Sequence, residues 1–260
     1  MTTSPARRPC SASPRPSPSS TPAYKLVAQA IERDILSGKL RDGEPLGTET
    51  ELATQFGVNR STVREGIRLL EHGGLVRRDS SRRLWVGMPG YDGLATRTSR
   101  ALVLHEVTFR ELYEASMALQ IATIEAAVEN AEAEDLDALE DNIARTEARR
   151  DEPTAVAKLD AEFHALIGRA SHNRVLQLAR EPSELLVVAS IEIVLRKVKE
   201  GPARLLHAHR MYVAAIRCRD REAARLWARR HVDDWRRGFE RAGNGLDQPI
   251  DRIYLEHTPA

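Results

Sequence analysis

The chain has 260 residues, of which 42% are apolar, 30% charged and only 5% aromatic. This composition is typical of a mostly helical protein with one large domain or two ordinary ones. No uncharged apolar run reaches the roughly 18 residues of a membrane-spanning helix, so no membrane partner is expected. Because the only cysteines are Cys10 and Cys218, a disulfide framework is not expected, and the cytoplasm is the expected location.

The net charge of +1 conceals an uneven distribution of charged residues. Residues 1–100 contain 16 Lys and Arg against 10 Asp and Glu, whereas residues 101–260 contain 23 against 28. A basic first part joined to a mildly acidic second part indicates that the first part alone meets a highly negative partner such as DNA. Taken alone, such a split also arises by chance.

The first elements in chain order are an arm and a helix. Residues 1–22 are rich in Pro and Ser and poor in apolar side chains, which predicts a disordered arm. Residues 24–37 then repeat apolar side chains every four positions, at Val27, Ile31 and Ile35. This spacing predicts a helix with one buried face.

The next segments complete a small domain. We predict a second helix over about 48–56, a third over about 59–72, and two short β-like pieces at 75–78 and 84–86. Three helices with a tight turn between the last two, followed by a hairpin, is the order of a winged helix-turn-helix. We therefore predict this fold for residues 23–88.

The rest of the chain is predicted to form a helical domain between two irregular segments. Residues 89–102 follow and begin with Pro89, Gly90 and Gly93, and we predict a linker there. From 103 to 243 almost everything has helical periodicity, with breaks that give five or six helices and hence an all-α bundle. Residues 244–260 are predicted to form a polar tail. The predicted fold class is thus mostly α, with one small hairpin.

The winged helix contains a group of polar side chains suited to DNA. The second helix of a helix-turn-helix enters the major groove with its N-terminal end, where Arg pairs with guanine and Ser or Thr reach phosphates and base edges. The hairpin loop adds two arginines placed to touch phosphate or the minor groove. The candidate DNA-binding residues are Thr48, Arg60, Ser61, Thr62, Arg64, Arg82 and Arg83. The alternative is that these arginines only solubilise an exposed face.

The segment from Thr48 to Gly74 resembles the GntR family of winged-helix regulators. The residues that match the family motif are Glu49, Leu52, Ala53, Phe56, Gly57, Val58, Arg60, Val63, Arg64 and Glu65. The resemblance implies that Arg60 and Arg64 recognise bases. The departures from the family pattern, which leave the wing contacts and the operator sequence open, are Leu46-Gly47 for Leu-Pro, Asn59 for Ser, and Ser80–Arg83 at the wing tip.

Four ionisable side chains of the second half lie on apolar helix faces. Asp160 and His164 are spaced i, i+4 on one predicted helix, while His209 and His231 belong to two others. The predicted helices cover 154–171, 203–218 and 221–240. A carboxylate in an apolar interior is costly unless it is paired or metal-bound, so convergence on one divalent cation would relieve that cost. Such a nitrogen and oxygen set suits Zn, Ni, Mn or Fe without choosing among them.

Other interpretations of these four ionisable residues remain open. A core-facing histidine is more often a hydrogen-bonded core residue than a ligand, and the helical domain would then only dimerise. His207 competes with His209 but lies off the apolar face of the helix. A metal-dependent hydrolase would need a general base, and Glu162 is predicted to point away from the Asp160–His164 face.

The second half also resembles a known domain. The segment from Asp160 to Asn173, together with His209, Arg219-Asp220 and His231-Val232, is similar to the FCD effector domain of the FadR-like branch of the GntR family. The resemblance implies a metal held by the four residues above and an organic acid or related metabolite as effector. Ser116 and Gln120 stand where the family often has Arg and Glu, which predicts altered anchoring or a less anionic effector.

These observations predict one function. The chain is expected to be a dimeric, ligand-responsive transcription regulator and not an enzyme. Its two recognition helices would meet the two halves of a near-palindromic double-stranded operator. Repression released by the ligand is the expected sign of regulation.

Overall fold

The computed structural model describes residues 21–88 and 91–250. The predicted arm lies outside the described residues except for its last two positions, Thr21 and Pro22, as do residues 251–260 of the predicted tail. The chain divides into two compact units at residues 89 and 90, close to the predicted boundary. Among the described residues, no helix is both long and apolar enough to cross a membrane.

The first unit is a winged helix-turn-helix, as the sequence predicts. Its elements are α1 (Ala23–Leu36), β1 (Pro45–Gly47), α2 (Glu49–Phe56), α3 (Arg60–Gly73), β2 (Val76–Arg78) and β3 (Leu84–Val86). The three strands form an antiparallel sheet in the order β1-β3-β2, with Val76 opposite Val86 in the hairpin. Strand β1 was not among the predicted elements. A three-residue segment with Pro and Gly has no strand pattern of its own, and it pairs only because β3 offers a free edge.

Local signals set the ends of these helices. Thr48 and Glu51 form a capping box at the start of α2, which satisfies backbone donors that the first helical turn leaves unpaired. Gly57 ends α2 with a φ of 65°, a left-handed conformation that favours glycine. At Gly66 a Cβ atom would come within 2.8 Å of the Tyr24 carbonyl oxygen, so this glycine allows α3 to pack closely on α1. These features position α3 on the small core.

The second unit is an all-α bundle. Its helices are α4 (Tyr91–Leu104), α5 (Phe109–Asn130), α6 (Ala133–Ala148), α7 (Pro153–Ala170), α8 (Arg174–Lys197), α9 (Gly201–Arg217) and α10 (Arg221–Arg241). Large side chains from several of these helices are fully buried in one core, among them Phe109, Phe163, Tyr212 and Phe239. Five or six helices were predicted after residue 103; the described residues there form six, α5 to α10, and α4 precedes them.

The linker predicted for residues 89–102 is wrong for most of its length. Helix α4 begins at Tyr91 and packs against α8 within the second unit. The glycines that suggested a linker end at Gly93, and from Leu94 to the end of α4 at Leu104 the chain has neither Gly nor Pro. Such a segment has adequate helix propensity, and packing against a neighbouring helix supplies the remaining stability.

The polar tail predicted from residue 244 is ordered over its first seven residues. Arg110 forms two hydrogen bonds with the Asp247 carboxylate, of 2.6 and 2.9 Å. Thr108 pairs with Pro249 in an isolated β-bridge, and Ile250 is buried. The tail is held because Ile250 provides an apolar anchor and the backbone near the start of α5 provides hydrogen-bond partners.

Candidate metal centre and DNA interface

Three helices bring the four predicted metal ligands to one point. Helix α7 provides Asp160 and His164 one turn apart, α9 provides His209, and α10 provides His231. Asp160, His164 and His209 are buried, and the side chain of His231 is only 11% exposed. The ligating atoms of all four lie within 4.8 Å of one another. The convergence that the sequence analysis predicted is therefore present in the structure.

The distances within this cluster match the spacing of ligands around one ion. The Oδ1 atom of Asp160 lies 3.1 Å from Nε2 of His209, 3.7 Å from Nε2 of His164 and 3.8 Å from Nε2 of His231. The Nε2 atoms of His164 and His231 are 3.0 Å apart. Ligands that each lie about 2.0–2.2 Å from a single ion are roughly 3–4 Å from one another. The side chains thus need little movement to share one ion.

The cluster also leaves buried polar atoms without partners. Among the described residues, neither carboxylate oxygen of Asp160 and neither ring nitrogen of His209 has a hydrogen-bond partner. A buried carboxylate without hydrogen bonds is costly, and this cost is relieved by a cation. The orphaned oxygen and nitrogen atoms, and the chemistry of the donor set, therefore fit a divalent metal ion.

Burial sets the protonation of the cluster. It raises the pKa of Asp160 to about 6 and lowers the pKa of His209 to about 3. Burial is also the main cause that lowers the pKa of His231 to about 4 and the pKa of His164 well below its usual range. The three imidazoles are therefore neutral near pH 7, and neutral imidazole is the form that binds metal.

The surrounding side chains show which residues contact the cluster and which lie outside it. The Phe163 ring stacks on the His209 ring with their centroids 3.7 Å apart and their planes 7° from parallel. His207 lies exposed, with its ring edge-on to Trp227, and is not part of the cluster. Glu162 faces away and accepts hydrogen bonds from Arg145. The general base that a hydrolase would need is therefore not provided by Glu162.

A small cavity of about 40 Å³ adjoins the cluster. His164 and His231 form part of its wall, and helices α5, α8 and α10 supply the rest. The other lining residues are Ser116, Leu119, Gln120, Arg180, Ser183, Val187, Ile191, Val232 and Trp235. The sequence analysis did not single out Arg180 or Ser183. Nothing in the spacing of α8 distinguishes Arg180 from an ordinary surface arginine, and only the packing of three helices brings it to the cavity.

The predicted DNA-binding residues lie at the start of α2, at the start of α3 and at the tip of the wing. Thr48 is the N-cap of α2, and Arg60, Ser61 and Thr62 form the first turn of α3. Arg60 and Arg64 are largely exposed. Arg82 and Arg83 are exposed in the wing loop, where Arg82 has a φ of 64°. All seven are described, and the arginines among them are accessible within this unit.

One acidic residue organises these arginines and was not proposed as a functional residue. Oε2 of Glu49 lies 3.5 Å from Nε of Arg60 and 3.2 Å from Nε of Arg64. Oε1 of Glu49 accepts hydrogen bonds from Arg78 of β2. Burial acts to raise the pKa of Glu49, but the hydrogen bonds from Arg64 and Arg78 outweigh it and lower the pKa. The ionised Glu49 therefore ties α3 to the base of the wing.

Comparison with known proteins agrees with both halves of this description. Residues 23–86 match the model for "Bacterial regulatory proteins, gntR family", and residues 111–234 match the FCD domain. The Bacillus subtilis protein "Uncharacterized HTH-type transcriptional regulator YdhC" is 28% identical over 82% of this chain and 89% of its own length. The B. subtilis "HTH-type transcriptional regulator LutR" is 29% identical over 79% of this chain and 97% of its own.

A solved structure supports the fold. The structure of Streptococcus agalactiae GntR covers 82% of this chain and 99% of its own, with a TM-score of 0.61 and 23% identity. The family and the curated relatives are transcription regulators rather than enzymes. The chain belongs to the GntR family of bacterial transcription regulators and carries a C-terminal FCD domain.

Proposed function

We propose that this regulator senses a small metabolite at a divalent metal held by Asp160, His164, His209 and His231, and that the bound metabolite changes its affinity for an operator. The observation that carries the proposal is the convergence of one carboxylate and three imidazoles. Within the described part of the chain, both Asp160 oxygens, both His209 ring nitrogens and Nδ1 of His164 are buried without a hydrogen-bond partner. When bound, the ion supplies positive charge and open coordination positions for an oxygen ligand. The metal is Zn, Ni, Mn or Fe.

The surrounding residues prepare the centre for such an ion. The stacked Phe163 ring holds the His209 imidazole in place, and burial keeps all three imidazoles neutral. The wall of the adjoining cavity mixes apolar side chains with polar ones, as the walls of small-molecule sites do. The cavity thus places a mixed apolar and polar surface beside His164 and His231.

Helix α8 connects the cavity with helix α4 inside the second unit. It lines the cavity through Arg180, Ser183, Val187 and Ile191, and it packs against α4. Helix α4 follows the winged helix directly in the chain. A ligand that favours one position of α8 would shift the balance between DNA-competent and incompetent states, provided that its affinity for the two differs.

Two copies of the chain would act together on DNA. The paired α3 helices of a dimer meet the two halves of a near-palindrome in successive major grooves. Arg60 and Arg64 would read bases, while Arg82 and Arg83 of the wing would contact phosphate or the minor groove. We infer that the unliganded protein represses and that the metabolite releases it.

Elemental analysis of the purified protein tests the metal centre. We expect one transition metal ion per chain in the wild type, and loss of that ion in His209→Ala and His231→Ala. His207→Ala is the matched control, because His207 lies on the same helix as His209 but is exposed. Circular dichroism establishes that the variants fold. Folded His209→Ala and His231→Ala proteins that keep the full metal content would overturn the proposal.

A further inference from the structure

The loop at the tip of the wing is short and is closed by backbone hydrogen bonds. Residues 79–83 join β2 to β3, and the amide of Asp79 donates to the carbonyl oxygen of Arg83 over 3.0 Å. The amide of Arg82 donates to the carbonyl oxygen of Asp79, also over 3.0 Å. Residues 80–82 are therefore the turning residues. A hairpin loop of three residues commonly ends in a left-handed residue, a conformation that favours glycine.

Arg82 occupies this left-handed position. Its φ is 64°, a conformation in which the Cβ atom of an ordinary residue crowds the backbone. Its side chain is exposed, so no burial offsets this strain. Left-handed residues other than glycine persist where the surrounding structure holds them, and they often occur at functional sites. The wing should therefore contain a feature that holds the loop.

The carboxylate of Asp79 holds both ends of the loop. Its Oδ2 atom accepts a hydrogen bond of 2.9 Å from the indole Nε1 of Trp85, and its Oδ1 atom accepts one of 2.9 Å from the backbone amide of Arg83. The hydrogen bonds from Trp85 and from the Arg83 amide lower the pKa of Asp79. The carboxylate is therefore ionised at neutral pH, and both hydrogen bonds are charge-assisted.

Trp85 is placed to anchor this carboxylate. It lies on β3, the central strand, which pairs with β1 on one side and β2 on the other. Its neighbours Leu84 and Val86 are buried in the core, and side chains alternate along a strand. The half-buried Trp85 ring therefore lies on the opposite face of the sheet. Its ring could serve only to cover that face, so the indole N–H is the feature to test.

We propose that Asp79 and Trp85 are positioning residues for DNA binding, and that they form a clasp that orders the wing loop before DNA binds and so presents Arg82 and Arg83 to the duplex. This inference rests on the DNA contacts of these two arginines in the proposed function and does not involve the metal centre. A loop that is already ordered loses less conformational entropy on binding, so affinity rises without a new contact.

Tryptic cleavage after Arg82 and Arg83 measures the order of the loop. Mass spectrometry of the peptides distinguishes cleavage at the wing from cleavage elsewhere, and circular dichroism establishes that the variants fold. We expect faster cleavage at the wing in Asp79→Ala and in Trp85→Phe than in the wild type. Asp79→Asn keeps one acceptor oxygen and should be intermediate. Asp42→Asn, at an exposed position outside the wing, is the control and should be cleaved at the wing as the wild type is.

DNA affinity separates the clasp from simple electrostatics. Loss of a carboxylate makes the domain more positive, which by itself strengthens DNA binding. For Asp79→Ala we expect the opposite, roughly fivefold weaker binding to an operator duplex selected from a random library. Asp42→Asn removes one negative charge from the turn between α1 and β1, and it is expected to bind at least as tightly as the wild type.

Trp85→Phe removes the indole N–H without changing the charge. We expect it to bind the operator more weakly at every salt concentration with an unchanged salt dependence, because the same phosphate contacts form at a greater entropic cost. Arg82→Ala should instead flatten the salt dependence, because it loses a contact. In a protein that already carries Arg82→Ala and Arg83→Ala, adding Asp79→Ala should not weaken binding further.

The outcomes separate the clasp from the proposed function. If Arg82→Ala and Arg83→Ala together leave DNA binding unchanged, the wing contacts of the proposed function fail, and the clasp has no role in DNA binding. If that double variant binds weakly but Asp79→Ala and Trp85→Phe bind as the wild type does, only the positioning role is overturned. A weakening by Asp79→Ala that persists without the two arginines also overturns it. Equal cleavage at the wing in the wild type and both variants overturns the clasp itself.

Discussion

Glu49 is a single carboxylate that contacts arginines from two elements. It lies near Arg60 and Arg64 of α3 and accepts hydrogen bonds from Arg78 of β2. Hydrogen bonds that involve charged groups contribute more than neutral ones when they are partly shielded from water. We therefore propose that Glu49 acts on DNA binding through the arginines that it contacts.

The first prediction concerns this positioning. Glu49→Gln removes the charge that orients Arg60 and Arg64, so we expect weaker discrimination between operator and random DNA. Affinity for random DNA should not fall, because the domain gains one net positive charge. Fluorescence anisotropy measures the two affinities, one for an operator selected from a random library and one for a scrambled duplex. Glu32→Gln on α1 is the control. Unchanged discrimination in Glu49→Gln would show that the arginines do not depend on it.

The second prediction separates base recognition from backbone contact. Arg60→Ala and Arg64→Ala are each expected to cost about 1–3 kcal/mol of operator binding and to relax the base preference. Arg82→Ala should weaken binding evenly across sequences and flatten its salt dependence. The exposed Arg33 of α1 offers a neutral control as Arg33→Ala. Equal losses on operator and random DNA for Arg60→Ala would contradict its assignment.

Residues differ in how far the sequence reveals their roles. Asp160 and His164 could be predicted to converge because their i, i+4 spacing on an apolar face is visible in the sequence. The contact between Gln120 and Arg180 could not be predicted, because these residues are 60 positions apart in the sequence and only tertiary packing brings their helices together. Glu49 was visible as a motif match, but its contact with Arg78 is a property of the fold.

Helices α8 and α10 meet at an unusually close contact, and these helices form part of the cavity wall. A Cβ atom at Gly238 would lie 2.5 Å from Cγ1 of Val194. Valine is stiff at χ1, so it yields little in a packed core. The distance between the two helices therefore depends on the absence of a side chain at position 238.

The third prediction follows from this contact. Gly238→Ala is expected to cost about 1–3 kcal/mol through overpacking, and alanine regains roughly 1 kcal/mol in helix propensity, so we expect a net destabilisation of the helical unit of up to about 2 kcal/mol. Thermal denaturation measures the change. Gly73→Ala is the control, because a Cβ atom there meets nothing within 4 Å. The double variant Val194→Ala, Gly238→Ala should lose less stability than the sum of its single variants, and strict additivity would argue against the contact.

Elements were predictable wherever a long periodic pattern existed. The helices that provide the four ligands were located to within two residues, because their apolar faces repeat over four turns or more. The prediction of a linker at 89–102 was wrong because the glycines near its start suggested an irregular segment. The chain there instead forms a helix that packs on α8. Strand β1 and the docked residues 244–250 are short, and long-range pairing rather than local pattern determines them.

The whole molecule combines two units with different charge and different chemistry. The basic part contains the winged helix-turn-helix, and the mildly acidic part contains the proposed sensor. A ligand that binds only the folded state stabilises it in proportion to the logarithm of its concentration over Kd, about 2.7 kcal/mol at a hundredfold excess. The metal should therefore stabilise the helical unit.

The fourth prediction is a metal-dependent melting temperature. Removal of the ion with a chelator is expected to lower the Tm of the wild type, and addition of Zn²⁺ should restore it, because the ion relieves the unpartnered carboxylate of Asp160. His209→Ala should melt at a lower temperature and should not respond to the chelator. His207→Ala should respond as the wild type does. A Tm that the chelator leaves unchanged in a protein that contained metal would refute a stabilising ion.

Helix α8 lines the cavity with only a few of its 24 residues, and it is about 36 Å long. Substitutions at those few positions would alter which compound is recognised, while the rest of the helix keeps its packing. New effector preferences are therefore accessible by small evolutionary steps that leave signal transmission intact. The same separation makes α8 a practical place to re-engineer this regulator as a biosensor.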